Sequence, residues 1–464
     1  MRLKSLLIFF WLIITSNLGA QNLIIEGGWL ILPDSTHAVK NTGLQIIAGK
    51  IHSIGTASND KTIPRVNLGD DDYVLPGLFD LHAHLKVVYG DLAKEDTTIT
   101  PLLYLANGIT TIYTCGEVDP DAVLAYKRNV ARGTSVGPRV LNSGPYFGDQ
   151  APNWREDYTE SDIYAIVDEW ASKGVDGFKA RDISEMHLKA LIERAHMHDL
   201  TVTGHISHIK FPEVSSDIAI PMGIDRLEHF IGGSALKKEA SAYREVADLV
   251  LSDSKIDKTI DLFIDHNIYF NSTLSVIGGF TKSEDQWLQY WTDEKKYWSP
   301  YAQSIVEGNP ERWSPKRQQF YDKSKVLLKR YYDRGGLISM GTDGPLGLDF
   351  LWVFKTPGFN THREMAMMSE IGIPNHEVVK IASLNSAKAM RISDKQGSIA
   401  VGKFGDLMII KGNPLDDIYN TRNVHTVIKH GKVYDTKELL KSCEGKLGPL
   451  SEESWFKNKE DNQH

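Results

Sequence analysis

Apolar and polar positions follow two rhythms along this chain. From Asn22 to Val74, short apolar runs broken by glycine, "NLIIEGGWLIL", "GLQIIAGKIHSIG" and "DDYVL", show no helical period and read as strands. "GSIAVGKFGDLMIIKG" and "VHTVIKHGKVYD" repeat that style near the other end, so residues 21–74 and 391–437 are expected to form one small flanking β-sandwich. Between them the period lengthens. In "SDIYAIVDEWASKGVDGFKA", Ile163, Ile166, Val167 and Trp170 recur at helical spacing behind Ser161, a candidate N-cap, and Gly174 precedes a short strand ending at Lys179. A second cycle follows at once: Met186, Leu188, Leu191, Ile192 and Ala195 line a helix, and "LTVTGH" is the next strand. Strand alternating with helix predicts a parallel sheet.

Strand ends read off these cycles fall at His82/His84, Cys115, Leu141, Lys179, His205, His229, Asn271 and Asp343. Eight such ends predict an α/β fold of the (β/α)8 TIM type over residues 75–390, with its chemistry at the C-terminal ends of the strands. Residues 281–334 are too long for a plain βα connection and carry Trp287, Tyr290, Trp291, Tyr297, Trp298 and Trp313. They read as helical elaboration over the barrel mouth, either a pair packed by its own aromatics or a lid touching substrate. Residues 438–464 form a tail to which no role is assigned.

Composition narrows the class. A formal net charge of −8 with no Lys/Arg block leaves no footprint for nucleic acid. At the N-terminus Arg2 and Lys4, the apolar run Leu6 to Ile14 and a small-residue stretch ending at Ala20 read as a signal peptide over residues 1–20. No later stretch approaches the ~20 apolar residues of a bilayer span, so the mature chain is expected in the periplasm or medium without membrane insertion. Cys115 and Cys443 are the two cysteines, too few and too far apart for a disulfide framework or a Cys-based zinc site.

The chemistry starts from "LFDLHAHL". Residues two apart on a strand share a face, so His82 and His84 both point inward, about 7 Å apart along the strand and able to converge on one ion. Alone, a His-x-His pair is more often a coincidence of a half-exposed strand. His205, His229 and Asp343 at other strand ends add two imidazoles and a carboxylate, ligand types favoured by Zn²⁺ and similar divalent ions. Lys179 is the odd member. An ammonium ~4 Å from a divalent cation is repelled by roughly 8 kcal/mol even at a dielectric of 20, so inside such a ring it must lose its charge. Carbamylation by CO₂ turns it into an anionic oxygen donor that bridges two metals; the plain alternative is a strand-end lysine facing solvent.

"VLPGLFDLHAHL", "NGITTIYT", "GPRVLNSGP", "GFKA", "VTGHIS", "RLEHF", "GTDGP" and the C-terminal "GSIAVGKFGDLMIIKGNPLDDI" resemble, in that order, the amidohydrolase superfamily, in its imidazolonepropionase-like and metal-dependent Xaa-Pro dipeptidase-like branch, over residues 22–437. The resemblance implies two divalent metals. His82 and His84 would hold one with Asp343, His205 and His229 the other, with carbamylated Lys179 as the bridge. His208 is the rival of His205; Glu228 and Asp80 fit supporting roles. It also implies a metal-activated hydroxide that hydrolyses an amide or related C–N bond, with Asp343 carrying the proton to the leaving nitrogen.

The branch carries a Gly-Gly-His segment after the third strand, where this chain reads "SGPYFGDQAPNW". Tyr146, Asp149, Gln150 and Trp154 occupy that loop. Tyr146, Gln150, Trp287, Trp291 and Trp298 are therefore the candidate contacts for a small-molecule substrate, an N-acyl amino acid or dipeptide-like amide. Lactone hydrolysis, deamination, or hydration and elimination on a carbohydrate-derived acid stay open with the same metal site. A homo-oligomer is compatible with everything above.

Overall fold

The computed structural model describes residues 21–457 apart from positions 34, 57, 152, 238–240, 280, 282–291 and 345–346. The expected signal segment, Trp287 and Trp291 lie outside the described residues. The chain is an α/β protein built on parallel sheets. One holds Leu78–Ala83, Ile109–Thr114 and Arg139–Leu141, with Ile109–Thr114 in the middle. The other runs Tyr146–Gly148, Gly177–Arg181, Thr201–His205, Arg226–Glu228, Tyr269–Asn271 and Leu337–Ile338, side by side in chain order and parallel throughout. Parallel bridges join Glu117 to Pro145 and Ala83 to Gly344, and Leu81 N donates to Met340 O at 2.8 Å. These strands are buried on both faces, and for that reason "ITTIYT" and "LFDLHA" read as apolar runs and not as alternation.

Helices cover the sheets where the 3.6-residue period predicted. The first predicted helix spans Glu160–Lys173, two residues earlier than its candidate cap implied. Thr159 is the N-cap in place of Ser161, because Thr159 and Asp162 form a reciprocal capping box that satisfies two otherwise orphaned N–H groups. Gly174, left-handed at φ 92°, ends it. Helix Pro315–Asp333 buries Phe320, Leu327, Leu328 and Tyr331 in the main core and leads directly to strand Leu337–Ile338. It is thus an ordinary covering helix, and the expected insert stops before it.

Both chain ends meet in one sheet of eight strands. Leu407–Lys411 lies antiparallel to the end of Arg65–Pro76, which on its other edge runs parallel to Leu23–Leu30. Where a two-sheet sandwich was expected the strands join continuously, because the 12-residue strand Arg65–Pro76 is long enough to serve both halves. Ile25, Leu44, Ile46, Leu407, Ile409 and Ile428 form its apolar face. The tail is ordered through helices Thr436–Cys443 and Glu452–Phe456. It packs on the hairpin Lys86–Tyr89/Leu92–Glu95, where Trp455 Nε1 donates to Tyr89 O at 3.2 Å. No described helix is long and apolar enough to cross a membrane.

Candidate metal centre

Strand ends bring the predicted histidines to one point. The His82 and His84 ring centroids are 5.4 Å apart, His82 and His229 5.0 Å, and His205 and His229 4.3 Å. Asp343 Oδ1 lies 3.1 Å from His84 Nε2 and 3.3 Å from His82 Nε2, so one carboxylate oxygen gathers both rings of the His-x-His pair. Asp343 and His229 hold left-handed backbone, φ 53° and 69°, which costs energy in residues with a Cβ and aims both side chains out of the regular strand path. Asp343 N donates to His82 O at 2.9 Å. Buried Asp80 locks the same junction: it accepts from His82 N at 3.1 Å, from Thr342 N at 3.2 Å and from Thr342 Oγ1 at 2.7 Å.

Burial fixes the charge state of this cluster. Desolvation, helped by the Lys179 and Lys86 charges, pushes His82 down to about 3 and His84 down to about 4, and holds His205 and His229 well below the usual imidazole range. All four rings are therefore neutral near pH 7, the form that binds metal. Desolvation raises Asp343, but the His82 and His84 contacts outweigh it and keep this carboxyl ionised. His229 Nδ1 is held by Thr273 Oγ1 at 2.7 Å, while its Nε2, like His205 Nε2 and His84 Nδ1, is buried without a partner. Buried nitrogens without partners are rare in folded proteins, and here they sit beside an ionised carboxylate. His82, His229 and Asp343 each offer an atom within 4.8 Å of the others. Such a set fits a divalent cation.

Lys179 is 1% exposed and burial pushes it down to about 8. Its Nζ contacts the Glu228 carboxylate, which also accepts from Thr203 Oγ1 at 2.7 Å and lies 3.5 Å from His82 Nδ1. The solvent-facing alternative for Lys179 is thereby removed. Its ion-pair partner Glu228 stands among the histidines. His208 Nδ1 instead meets Asp182 at 3.2 Å, with its ring 4.7 Å from that of His205.

Among the candidate substrate contacts, Tyr146 is buried next to Lys179 in register, and its hydroxyl accepts from Lys86 Nζ at 2.7 Å. Gln150 is exposed. Trp298 needs correction: it is 0% exposed, donates from Nε1 to Thr356 Oγ1 at 3.0 Å and packs with Tyr297, Ala302 and Leu447. An aromatic-rich run reveals a packing demand but not its location, and here the tail and the insert bury each other. Lys86 and Arg181 went unnoticed in the sequence; Arg181 lies two residues beyond Lys179 on the same strand and so shares its inward face, while Lys86 opens the separate hairpin strand Lys86–Tyr89. Beside Asp343 opens a cavity of about 490 Å³, lined by Tyr243, Val276, Ile277, Phe320, Phe350 and a rim of Arg244, Lys316 and Arg317.

Comparison with known proteins places this site in a lineage. The family model described as "Amidohydrolase family" matches residues 73–434. A 5-methylthioadenosine/S-adenosylhomocysteine deaminase of Caldanaerobacter subterraneus subsp. tengcongensis is 27% identical over 130 residues, 25% of this chain and 30% of that enzyme. The crystal structure of a Xaa-Pro dipeptidase with bound methionine superposes at TM-score 0.66 with 23% identity, covering 89% of this chain and all of the other. Phenylurea hydrolase B superposes at TM-score 0.69 with 17% identity over 92% of this chain and 100% of the other. At these identities the superpositions speak for the fold. The matched stretch spans under a third of the deaminase's own length.

Proposed function

Since the chain belongs to the amidohydrolase family, we propose that it is a metal-dependent hydrolase of a small amide or related C–N bond, of the N-acyl amino acid or dipeptide-like kind. The observation that carries the reading is the convergence of neutral, buried imidazoles with orphaned nitrogens on the ionised carboxylate of Asp343. The bridges at Glu117–Pro145 and Ala83–Gly344 support closure of the parallel strands into an eight-stranded barrel, with the terminal sheet as a flanking domain. Export to the periplasm or medium rests on the N-terminal charged, apolar and small-residue order.

His82, His84 and Asp343 would hold one divalent ion, and His205 and His229 a second, with zinc the choice that the imidazole-rich donor set favours. Metals bound there supply acidification of a water molecule and polarisation of the scissile carbonyl. The chain's own groups do the rest. Asp343, ionised and gathered against two rings, accepts a proton from the attacking water and returns it to the departing nitrogen. Asp80 keeps its loop in register with the His82 strand. Lys179, pushed down to about 8, has a neutral fraction at neutral pH whose nitrogen would add CO₂ and release a proton to solvent, and the carbamate would supply an anionic oxygen donor to the metals held there.

The test is turnover of a panel of N-acyl amino acids and dipeptides by zinc-loaded protein, abolished by a chelator and restored by zinc. Hydrolysis of none of them, with two metals bound, would sink the reading. The deaminase relative favours deamination as the second reading; ammonia release from an aminopurine nucleoside in the same assay identifies it.

A further inference from the structure

The strand that carries Lys179 brings a second cation to the edge of the site. Arg181 ends the strand that bears Lys179, two residues on and on the same face, in register with His205 on one side and Gly148 on the other. Gly148 has no side chain because a Cβ there would run into the Arg181 carbonyl oxygen, so the two strands pack backbone to backbone at this point. The guanidinium charge reaches both Tyr146 and Tyr243, the second with its ring 5.5 Å from that of His205. Among the described residues its side chain has no ion-pair partner, and its Nε is buried without a hydrogen bond. Asp149 and Asp182 are near enough to feel its charge or that of their neighbours, but neither pairs with it: Asp182 is engaged by His208 and by the backbone N–H groups of Lys210 and Phe211. Lys86, whose Nζ donates to the Tyr146 hydroxyl, adds another cation, and the cavity beside Asp343 is lined by Arg244, Arg317 and Lys316, the last paired with Asp248 at 2.8 Å, as well as by Val276, Ile277, Phe320 and Phe350.

We propose that Arg181 takes the anionic end of the substrate, which makes the substrate class an amide bearing a free carboxylate and an apolar substituent. The proposal rests on the hydrolase reading above and deepens it. A planar guanidinium offers a carboxylate two parallel N–H donors, a match that a lysine does not reproduce. The apolar substituent lies against Val276, Ile277 and Phe320, and Asp343 at the cavity's edge places the scissile bond between the two ends. Leaving Arg181 without a partner inside the protein keeps its donors available for that one.

The deciding experiment compares N-acetyl-leucine with N-acetyl-leucinol, the same amide without the carboxylate, on zinc-loaded protein, by steady-state kinetics and by calorimetric binding. Wild type should favour the acid. Arg181→Gln should raise KM and Kd for the acid about 10- to 100-fold, with the alcohol and the metal content unchanged; Arg181→Lys should recover only part. Equal handling of acid and alcohol by wild type overturns the substrate class. A preference that survives in Arg181→Gln overturns the assignment to Arg181. Calorimetry separates the two layers: acid binding that depends on Arg181 without hydrolysis fails the hydrolase reading alone, and no acid binding fails this proposal.

Discussion

Asp343 combines two demands in one side chain, holding both rings of the His-x-His pair and staying ionised while buried. Asp343→Asn keeps the shape and removes the proton acceptor, so hydrolysis should fall ~10²- to 10⁴-fold with the protein folded; activity within a few-fold of wild type moves the role elsewhere. The neutral histidines make a second expectation. His82 and His84, held at about 3 and about 4, have folded values below those of exposed imidazoles, so at pH 6 they carry no proton for a metal to displace. Zinc binding at pH 6 in bicarbonate-free buffers of different ionisation enthalpy should then release no more than the protons given up by Lys179 and by metal-bound water, where an exposed histidine site adds a large fraction of one per ring. For Lys179→Ala the expectation is loss of one of two metals and of bicarbonate-dependent reconstitution, read by metal analysis. A nearly wild-type variant with unchanged stoichiometry rejects the carbamate. The strand-end rule was enough to find these residues because parallel strands deliver alternate side chains to one end. It missed Arg181, which obeys the same rule, because a cation two residues past a ligand looks like an ordinary polar strand end, and it could not reach Lys86, which lies on a separate hairpin strand.

At the scale of elements, period and capping chemistry located helices to within a residue or two, as Glu160–Lys173 and its box at Thr159 illustrate. What they could not show was which elements lie against which. The run from Thr281 to Arg334 looked like one insert because its aromatics are continuous in sequence, yet Pro315–Asp333 belongs to the main core and Trp298 to a satellite core shared with Cys443 and Leu447. Those partners lie nearly 150 residues further along the chain, and local pattern carries no trace of them. Trp298→Ala should accordingly cost ~3–5 kcal/mol of stability, seen as a lowered Tm, with metal content and kcat/KM within a few-fold of wild type. A large kinetic defect at unchanged stability would return Trp298 to the substrate. Thr273 shows another limit: its hydroxyl orients His229 from a left-handed position, φ 48°, and buried Glu364 secures that turn through Ser272 Oγ at 2.6 Å and Leu274 N at 2.8 Å. Neither residue carries a sequence signal for the role.

For the molecule as a whole, the N-terminal expectation is a mature chain starting near Gln21, and an intact-mass measurement on exported protein checks it, with retained Met1 as the contrary result. Gln21 N donates to His430 O at 3.1 Å, two residues ahead of the strand Leu23–Leu30. That sheet also has a consequence in time. Leu23–Leu30 and Arg65–Pro76 emerge first during synthesis, but the antiparallel neighbour of Arg65–Pro76 is Leu407–Lys411, more than three hundred residues later. Until about the last eighth of the chain is made, the Asp72–Pro76 end of that strand, with its apolar Val74 and Leu75, keeps one edge unpaired. Such an edge invites wrong partners. A cell making this protein therefore depends on something else to shield that edge while the middle of the chain folds, and premature termination anywhere before Leu407 yields a product prone to aggregate, even when every residue of the metal centre has been synthesised.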